Sequence, residues 1–315
     1  MRRMPVRLAS RAQGGLRRAA FALTGALVAV APAAVRHQPA TYDLDLVIRN
    51  ARIVDGTGAP WYRGDLAVRG DSIAAIAPHI EAGSAREVDA HGQVVAPGFI
   101  DIHTHARRGI FDVPTAPNYV RQGVTTVMEG PDGSSPVPIA PFLERLHALP
   151  KSLNIGTFVG QGSIRHEVIG DVDRAATPDE IRRMVALAEQ GMRDGAFGLS
   201  TGLFYVPGTF TPTSEVIELA RAVGRLGGMH ESHQRDDASR VLDSVRETIE
   251  IGEKGGLATQ ISHHKVIGQA NWGRSVETLR LVDEARARGV DVTIDQYPYT
   301  ASSTSVAAAL VLDAV

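Results

Sequence analysis

His103 and His105 stand two positions apart at the end of Pro97–His105, a run whose Phe99, Ile100 and Ile102 read as a buried strand. Alternate residues of an extended chain share a side, so the two imidazoles can take one metal ion. An isolated His-x-His fits a merely histidine-rich strand end as well, and the rest of the chain has to decide. Later strand ends supply Glu129 or Asp132, then His233, then His263. Imidazoles and a carboxylate gathered at one place suit a catalytic Zn²⁺, or a pair of ions bridged by an oxygen ligand. Cysteine is absent from the 315 residues, so no thiolate serves as ligand or nucleophile.

The elements that must position these residues follow from the pattern of apolar runs. After Pro97, strand and helix alternate, with strands expected at Phe99–His103, Val124–Met128, Ile155–Val159, Ala196–Ser200, Gly228–Glu231, Ala258–Ser262 and Val290–Asp295. Thr177-Pro178-Asp179-Glu180 is a helix start, with a cap, a first-turn proline and a capping-box glutamate ahead of Ile181, Met184, Val185 and Ala188. Alternating β and α predicts an α/β fold with a parallel sheet. Polar residues collect at the C-terminal ends of the strands, which favours a metal-dependent (β/α)8-type barrel over a doubly wound sheet. Seven strands are countable, and the eighth is expected beyond Val315, as though the sequence were a fragment of a longer chain. Residues 42–96 carry short alternating strands (Leu44–Ile48, Ala51–Val54, Asp65–Arg69, Ser72–Ile76, Glu87–Asp89) split by turns, and are expected to form a small N-terminal β-sandwich domain ahead of the partial barrel at 97–315.

Composition narrows the partners. The chain is 43% hydrophobic and 22% charged, as ordinary globular proteins are. Six of its 33 basic residues fall within 1–33 with no acid among them, which leaves 27 basic against 35 acidic residues in the remainder. A mildly acidic body offers no electrostatic footprint for nucleic acid, and a small-molecule substrate is expected instead. The basic start, the apolar stretch from Ala19 to Val30 and Ala31-Pro32-Ala33 read as a signal peptide (1–33) followed by a linker (34–41). Export to the periplasm or beyond is the expectation. The apolar run is shorter than the roughly 20 residues of a spanning helix, so no stable membrane anchor is expected after cleavage. Oligomeric state is left open.

Taken together, several stretches resemble the N-acyl-D-amino-acid deacylases (D-aminoacylases) of the amidohydrolase superfamily. They are Ala96–His105, Gly123-Val-Thr-Thr-Val127, Gly198-Leu-Ser-Thr-Gly-Leu-Phe-Tyr205, Ser232-His-Gln-Arg-Asp236, Gln260-Ile-Ser-His-His-Lys265 with Asn271-Trp-Gly273, and Asp295-Gln-Tyr-Pro-Tyr299. The resemblance spans roughly 42–304. It implies hydrolysis of an N-acyl amide bond with one or two Zn²⁺, His103 and His105 at one metal position and His233 and His263 at the other. It also implies that Lys265, Tyr205, Arg235 and Tyr297 face the substrate. Well-known deacylases place a cysteine ligand after strand two, where this chain has Asp132 in Glu129-Gly-Pro-Asp-Gly133. Glu129 competes for that role. Gln161 stands where related deacylases often have histidine, and cannot titrate. The catalytic aspartate that the resemblance implies, the general base, would lie beyond Val315. Two rival readings are a cyclic-amide or isoaspartyl-dipeptide hydrolase of the same superfamily, and a non-catalytic metal-binding fragment.

Overall fold

The computed structural model describes residues 43–306 and 308. The expected signal peptide (1–33) and linker (34–41) lie outside the described residues, as do the last residues of the chain. Among the described residues two compact units emerge: 43–53 with Tyr62–Val94, and Val54–Trp61 with the residues from Val95 onward.

In the first unit, β1 (Leu46–Ile53), β2 (Tyr62–Arg69), β3 (Ser72–Ala77) and β4 (Arg86–Asp89) make one mixed sheet in the order β3-β2-β1-β4, and the two-residue β5 (Val94–Val95) also pairs with β1. Among the described residues this is a single sheet, where two packed layers were expected. Leu44–Ile48 and Ala51–Val54, expected as separate strands, are one. The register with β2 shifts between Ile48 and Ala51, and Asn50, at φ 55°, forms a bulge that lets the strand continue. Asp65 holds that bulge by accepting the Asn50 N–H at 3.2 Å. Leu44, Val47, Ala67 and Ala82 bury the inner face.

The second unit is α/β. Its strands are β6 (Phe99–Asp101), β7 (Val124–Glu129), β8 (Asn154–Thr157), β9 (Val159–Gly160), β10 (Gly198–Gly202), β11 (Met229–His233), β12 (Thr259–Ile261) and β13 (Val292–Ile294). Helices α1 (Pro117–Val120), α2 (Ala140–Ala148), α3 (Gln161–Ile169), α4 (Pro178–Asp194), α5 (Thr213–Arg225), α6 (Val241–Gly255) and α7 (Ser275–Ala287) fall between them. All pairings are parallel, in two sheets, β6-β7-β8 and β9-β10-β11-β12-β13. Only Phe158 separates β8 from β9, and its N–H reaches the Glu129 carbonyl at 2.9 Å. One extended segment therefore pairs with β7 through its first half and with β10 through its second.

Helix α4 begins where the sequence places it, with the Thr177 hydroxyl accepting the Glu180 N–H at 3.3 Å and the Glu180 carboxylate accepting the Thr177 N–H at 2.8 Å. Its apolar stripe, Met184 and Ala188, packs with Val159, Leu199, Val216, Leu219 and Val223 into the main core. Each fully buried aliphatic side chain of this kind contributes about 1.5–3 kcal/mol. Val245, Ile249, Ile261, Val282 and Val292 form a second cluster of the same construction, holding α6 and α7 against β12 and β13.

Strand one is shorter than expected. It ends at Asp101, so His103 and His105 sit in the segment that follows it. Thr104 keeps that segment on the sheet, because its N–H and its hydroxyl both donate to the Met128 carbonyl, at 3.1 and 2.8 Å.

Candidate metal centre

Around that Thr104 anchor, His103 and His105 converge on one carboxylate. Asp132, in the loop after β7, places Oδ2 3.2 Å from His105 Nε2 and Oδ1 3.5 Å from His103 Nε2. The same Oδ1 lies 3.3 Å from Nδ1 of His233, the last residue of β11, and 3.7 Å from Nε2 of His263, just past β12. Two donor groups result, His103–His105–Asp132 and Asp132–His233–His263, with Asp132 common to both. Glu129 belongs to neither. It ends β7 fully buried, and its carboxylate accepts the Arg107 N–H at 2.9 Å with the Arg107 Nε 3.4 Å away.

The donor spacing fits an ion. Tetrahedral zinc with bonds of about 2.0–2.1 Å separates its donor atoms by about 3.3 Å, close to the separations of Asp132 from His103, His105 and His233, whereas His233 Nδ1 and His263 Nε2 stand 2.7 Å apart, at hydrogen-bond distance. Asp132 Oδ1 is buried and accepts no well-aligned hydrogen bond, although three imidazole nitrogens surround it. All donors are nitrogen or oxygen, a set suited to zinc and other divalent first-row ions. Burial disfavours charge on His103, but the Asp132 and Glu231 carboxylates outweigh it and push the imidazole up to about 11. Burial likewise opposes ionisation of Asp132, and the surrounding histidines nonetheless hold its carboxyl well below the usual range. Burial lowers His233.

Local backbone is bent to bring these groups in. Asp132 and His263 have left-handed φ values of 57° and 37°, a conformation costing about 1–3 kcal/mol for residues with a Cβ. The Asp132 N–H is fixed by Glu231 Oε1 at 3.1 Å. Asp295 fixes the other bend, accepting the His263 N–H at Oδ1 and Gln260 Nε2 at 3.0 Å. Gly202 provides the space beside Asp132: a Cβ there would meet the Asp132 carbonyl carbon at 2.7 Å.

The expected substrate-facing residues separate into two groups. Tyr205 packs on His233, with centroids 4.6 Å apart, and its hydroxyl lies 3.1 Å from Thr304 Oγ1. Lys265 places Nζ 2.7 Å from His263 Nδ1 and 2.9 Å from Asp237 Oδ2, with the Tyr297 ring 5.6 Å away. Arg235 is engaged elsewhere, pairing with Glu247 at 2.8 and 3.0 Å and donating to the carbonyls of Thr209 and Thr211. Gln161 is buried against the Thr211 hydroxyl at 3.1 Å. His230 sits in the core between the hydroxyls of Thr201 and Thr259, and His264 bonds Thr278 at 2.8 Å. His105, Asp132 and Tyr205 open onto a cleft of about 870 Å³ that Arg107, Arg108 and Ser303–Ser305 also line. Glu231 is the site residue that motif reading missed. Its signal was alternation along the strand, since it lies two positions before His233 and so shares its side.

No family model matches the chain. Over 283 residues it is 40% identical to a D-aminoacylase of Alcaligenes xylosoxydans xylosoxydans, a match covering 82% of this chain and 58% of that protein. A solved D-aminoacylase structure described by its binuclear metal centre, with one-metal activation and second-metal attenuation, superposes with a TM-score of 0.76 at 38% identity, covering 81% of this chain and 59% of the other. The N-acyl-D-glutamate deacylase of Bordetella bronchiseptica, solved with zinc and a phosphonate that mimics the tetrahedral intermediate, gives 0.77 at 37% identity, covering 81% and 59%. An L-hydantoinase from Arthrobacter aurescens, 17% identical with a TM-score of 0.57, shares the fold alone. The chain thus spans a little under three-fifths of the length of the curated relative it matches. Shared sequence, shared α/β fold and a His/Asp donor cluster agree: over the matched residues the chain is similar to the D-aminoacylases among the amidohydrolases.

Proposed function

We propose that this chain carries the metal-binding and substrate-facing part of an N-acyl-D-amino-acid deacylase, a hydrolase of linear amide C–N bonds. The observation that carries the reading is Asp132 standing between two histidine pairs at the head of an open cleft. His103 and His105 would hold one Zn²⁺ with Asp132, and His233 and His263 a second with the same carboxylate. Bound zinc would supply Lewis acidity and a water acidified from about 15.7 to about 7. The chain's own residues do the rest of what is visible. Lys265, its ammonium held between Asp237 and His263 Nδ1 with the Tyr297 ring 5.6 Å away, presents a cation beside His263 that suits the carboxylate of an N-acyl amino acid. Tyr205 walls the cleft over His233 and shields that imidazole from water.

In the same reading the strand run from β6 to β13 forms an arc of a (β/α)8-type barrel. The shared β8–β9 segment supports this, because it continues one pairing into the next. The basic and apolar first 33 residues support export of the protein.

The test is an amidase assay on the zinc-loaded protein, extended by whatever coding sequence follows Val315, with N-acetyl-D-amino acids, beside their L-enantiomers, a hydantoin and an isoaspartyl dipeptide. Release of D-amino acid, abolished by Lys265→Ala and by chelation, is the expected result. Turnover of the hydantoin or the dipeptide alone would contradict it.

A further inference from the structure

Glu231 is buried at 1% exposure in the middle of β11, and each of its oxygens is placed against the candidate metal residues. Strand alternation puts Glu231 and His233 on one side, while His230 and Ser232 turn to the other, where both meet Thr201. Oε1 accepts the N–H of Asp132 at 3.1 Å, and Oε2 accepts the Ser262 hydroxyl and lies 3.4 Å from His103 Nδ1. The other ring nitrogen of His103, Nε2, faces Asp132. His103 Nδ1 is buried and makes no hydrogen bond, and Glu231 Oε2, 3.4 Å away, is the carboxylate oxygen that faces it.

We propose that Glu231 is the positioning residue of the His103–His105–Asp132 position: it holds the hydrogen of neutral His103 on Nδ1, leaves Nε2 free for a divalent cation, and fixes the left-handed turn that aims the Asp132 carboxylate. This rests on the metal reading above. A histidine ligand needs one ring nitrogen unprotonated, and the acceptor facing the other nitrogen decides which. Carboxylates in that role raise ligand basicity, and losing one costs 10–100-fold in metal affinity. The same side chain reaches both His103 and Asp132, so one residue sets the direction of two donors.

Glu231→Gln is close to isosteric and separates this role from simple packing. The amide oxygen can still accept the Asp132 N–H, but the amide nitrogen would offer hydrogens towards Ser262 and His103 Nδ1. His103 would then have to accept at Nδ1 and carry its hydrogen on Nε2, where the cation belongs.

The experiment titrates zinc against a chromophoric chelator in wild type, Glu231→Gln and Glu231→Asp, with thermal unfolding of the metal-free proteins recorded alongside. Expected are a 10–100-fold weaker first or second zinc in Glu231→Gln and a smaller loss in Glu231→Asp, which retains a carboxylate. Zinc affinities in Glu231→Gln equal to wild type, whatever its melting temperature, would overturn the inference and leave the metal reading intact. Failure of the wild type to bind zinc would overturn both. Should Glu231→Gln not fold, the ¹⁵N spectrum of zinc-loaded wild type decides: a protonated Nδ1 on His103 is expected, and a protonated Nε2 with bare Nδ1 would overturn the inference.

Discussion

Asp132 Oδ1 lies 3.3 Å from His233 Nδ1, so the loop after β7 and the end of β11 meet at a single carboxylate. That meeting depends on a missing side chain. Gly202, the last residue of β10, leaves the space that the Asp132 carbonyl occupies. Gly202→Ala is expected to displace Asp132 and weaken zinc binding about tenfold or more, by analogy with loss of other supporting groups. Chelator competition checks this, and an unchanged affinity would show that Asp132 can shift without loosening the ion.

A buried ion pair secures α3 against α5. Arg165 and Glu215 are almost wholly buried, 2.6 Å apart; Arg165 also donates to the Val172 and Arg174 carbonyls, and Glu215 accepts the Ala176 N–H at 3.1 Å. Removing one partner strands the other charge, so Glu215→Ala should cost about 3–5 kcal/mol. The double variant Arg165→Met, Glu215→Leu should cost less than that single one. Denaturant unfolding of the variants measures both.

The start of α4 offers a smaller, cleaner test. Thr177→Ala removes the side-chain half of the capping box, and should destabilise by about 1 kcal/mol. Thr177→Ser should restore most of it.

His230 predicts a pH dependence. Complete burial lowers its imidazole to about 3, against an ordinary value of about 6.5 in the unfolded chain. The depressed group favours the folded state when neutral, so its contribution is fully present above about 6.5 and fades as pH falls, because the unfolded chain takes up the proton first. Between pH 7 and pH 5 this one residue should remove about 2 kcal/mol of stability. His230→Gln, which can still bond Thr201 and Thr259, should flatten the curve by that amount. Equal slopes in both proteins would place the pH dependence elsewhere.

How much of this could be read from sequence depended on whether the determining contacts were local. The cap of α4 and the seven-strand rhythm were readable because apolar spacing and capping residues are near neighbours in the chain. The His103–His105 pair was readable as chemistry but misplaced, since the end of β6 depends on Thr104 finding the Met128 carbonyl on another strand. Between Glu129 and Asp132 the sequence offered no choice. Arg107 folds back onto Glu129, and that contact is invisible until the loop after β6 has its shape. The resemblance implied that Arg235 faces the substrate, and Glu247 on α6, 12 residues further along the chain, pairs with its guanidinium. Glu231 escaped notice because its partners, Asp132 and Ser262, come from two other strand ends.

Zinc stoichiometry tests the centre most directly. The chelator-treated chain, reloaded with Zn²⁺, desalted and analysed by elemental mass spectrometry, should retain one to two ions in wild type and lose most of that content in Asp132→Ala. Retention of the wild-type zinc content by Asp132→Ala, or no retained zinc in the wild type, would contradict a metal centre built around Asp132.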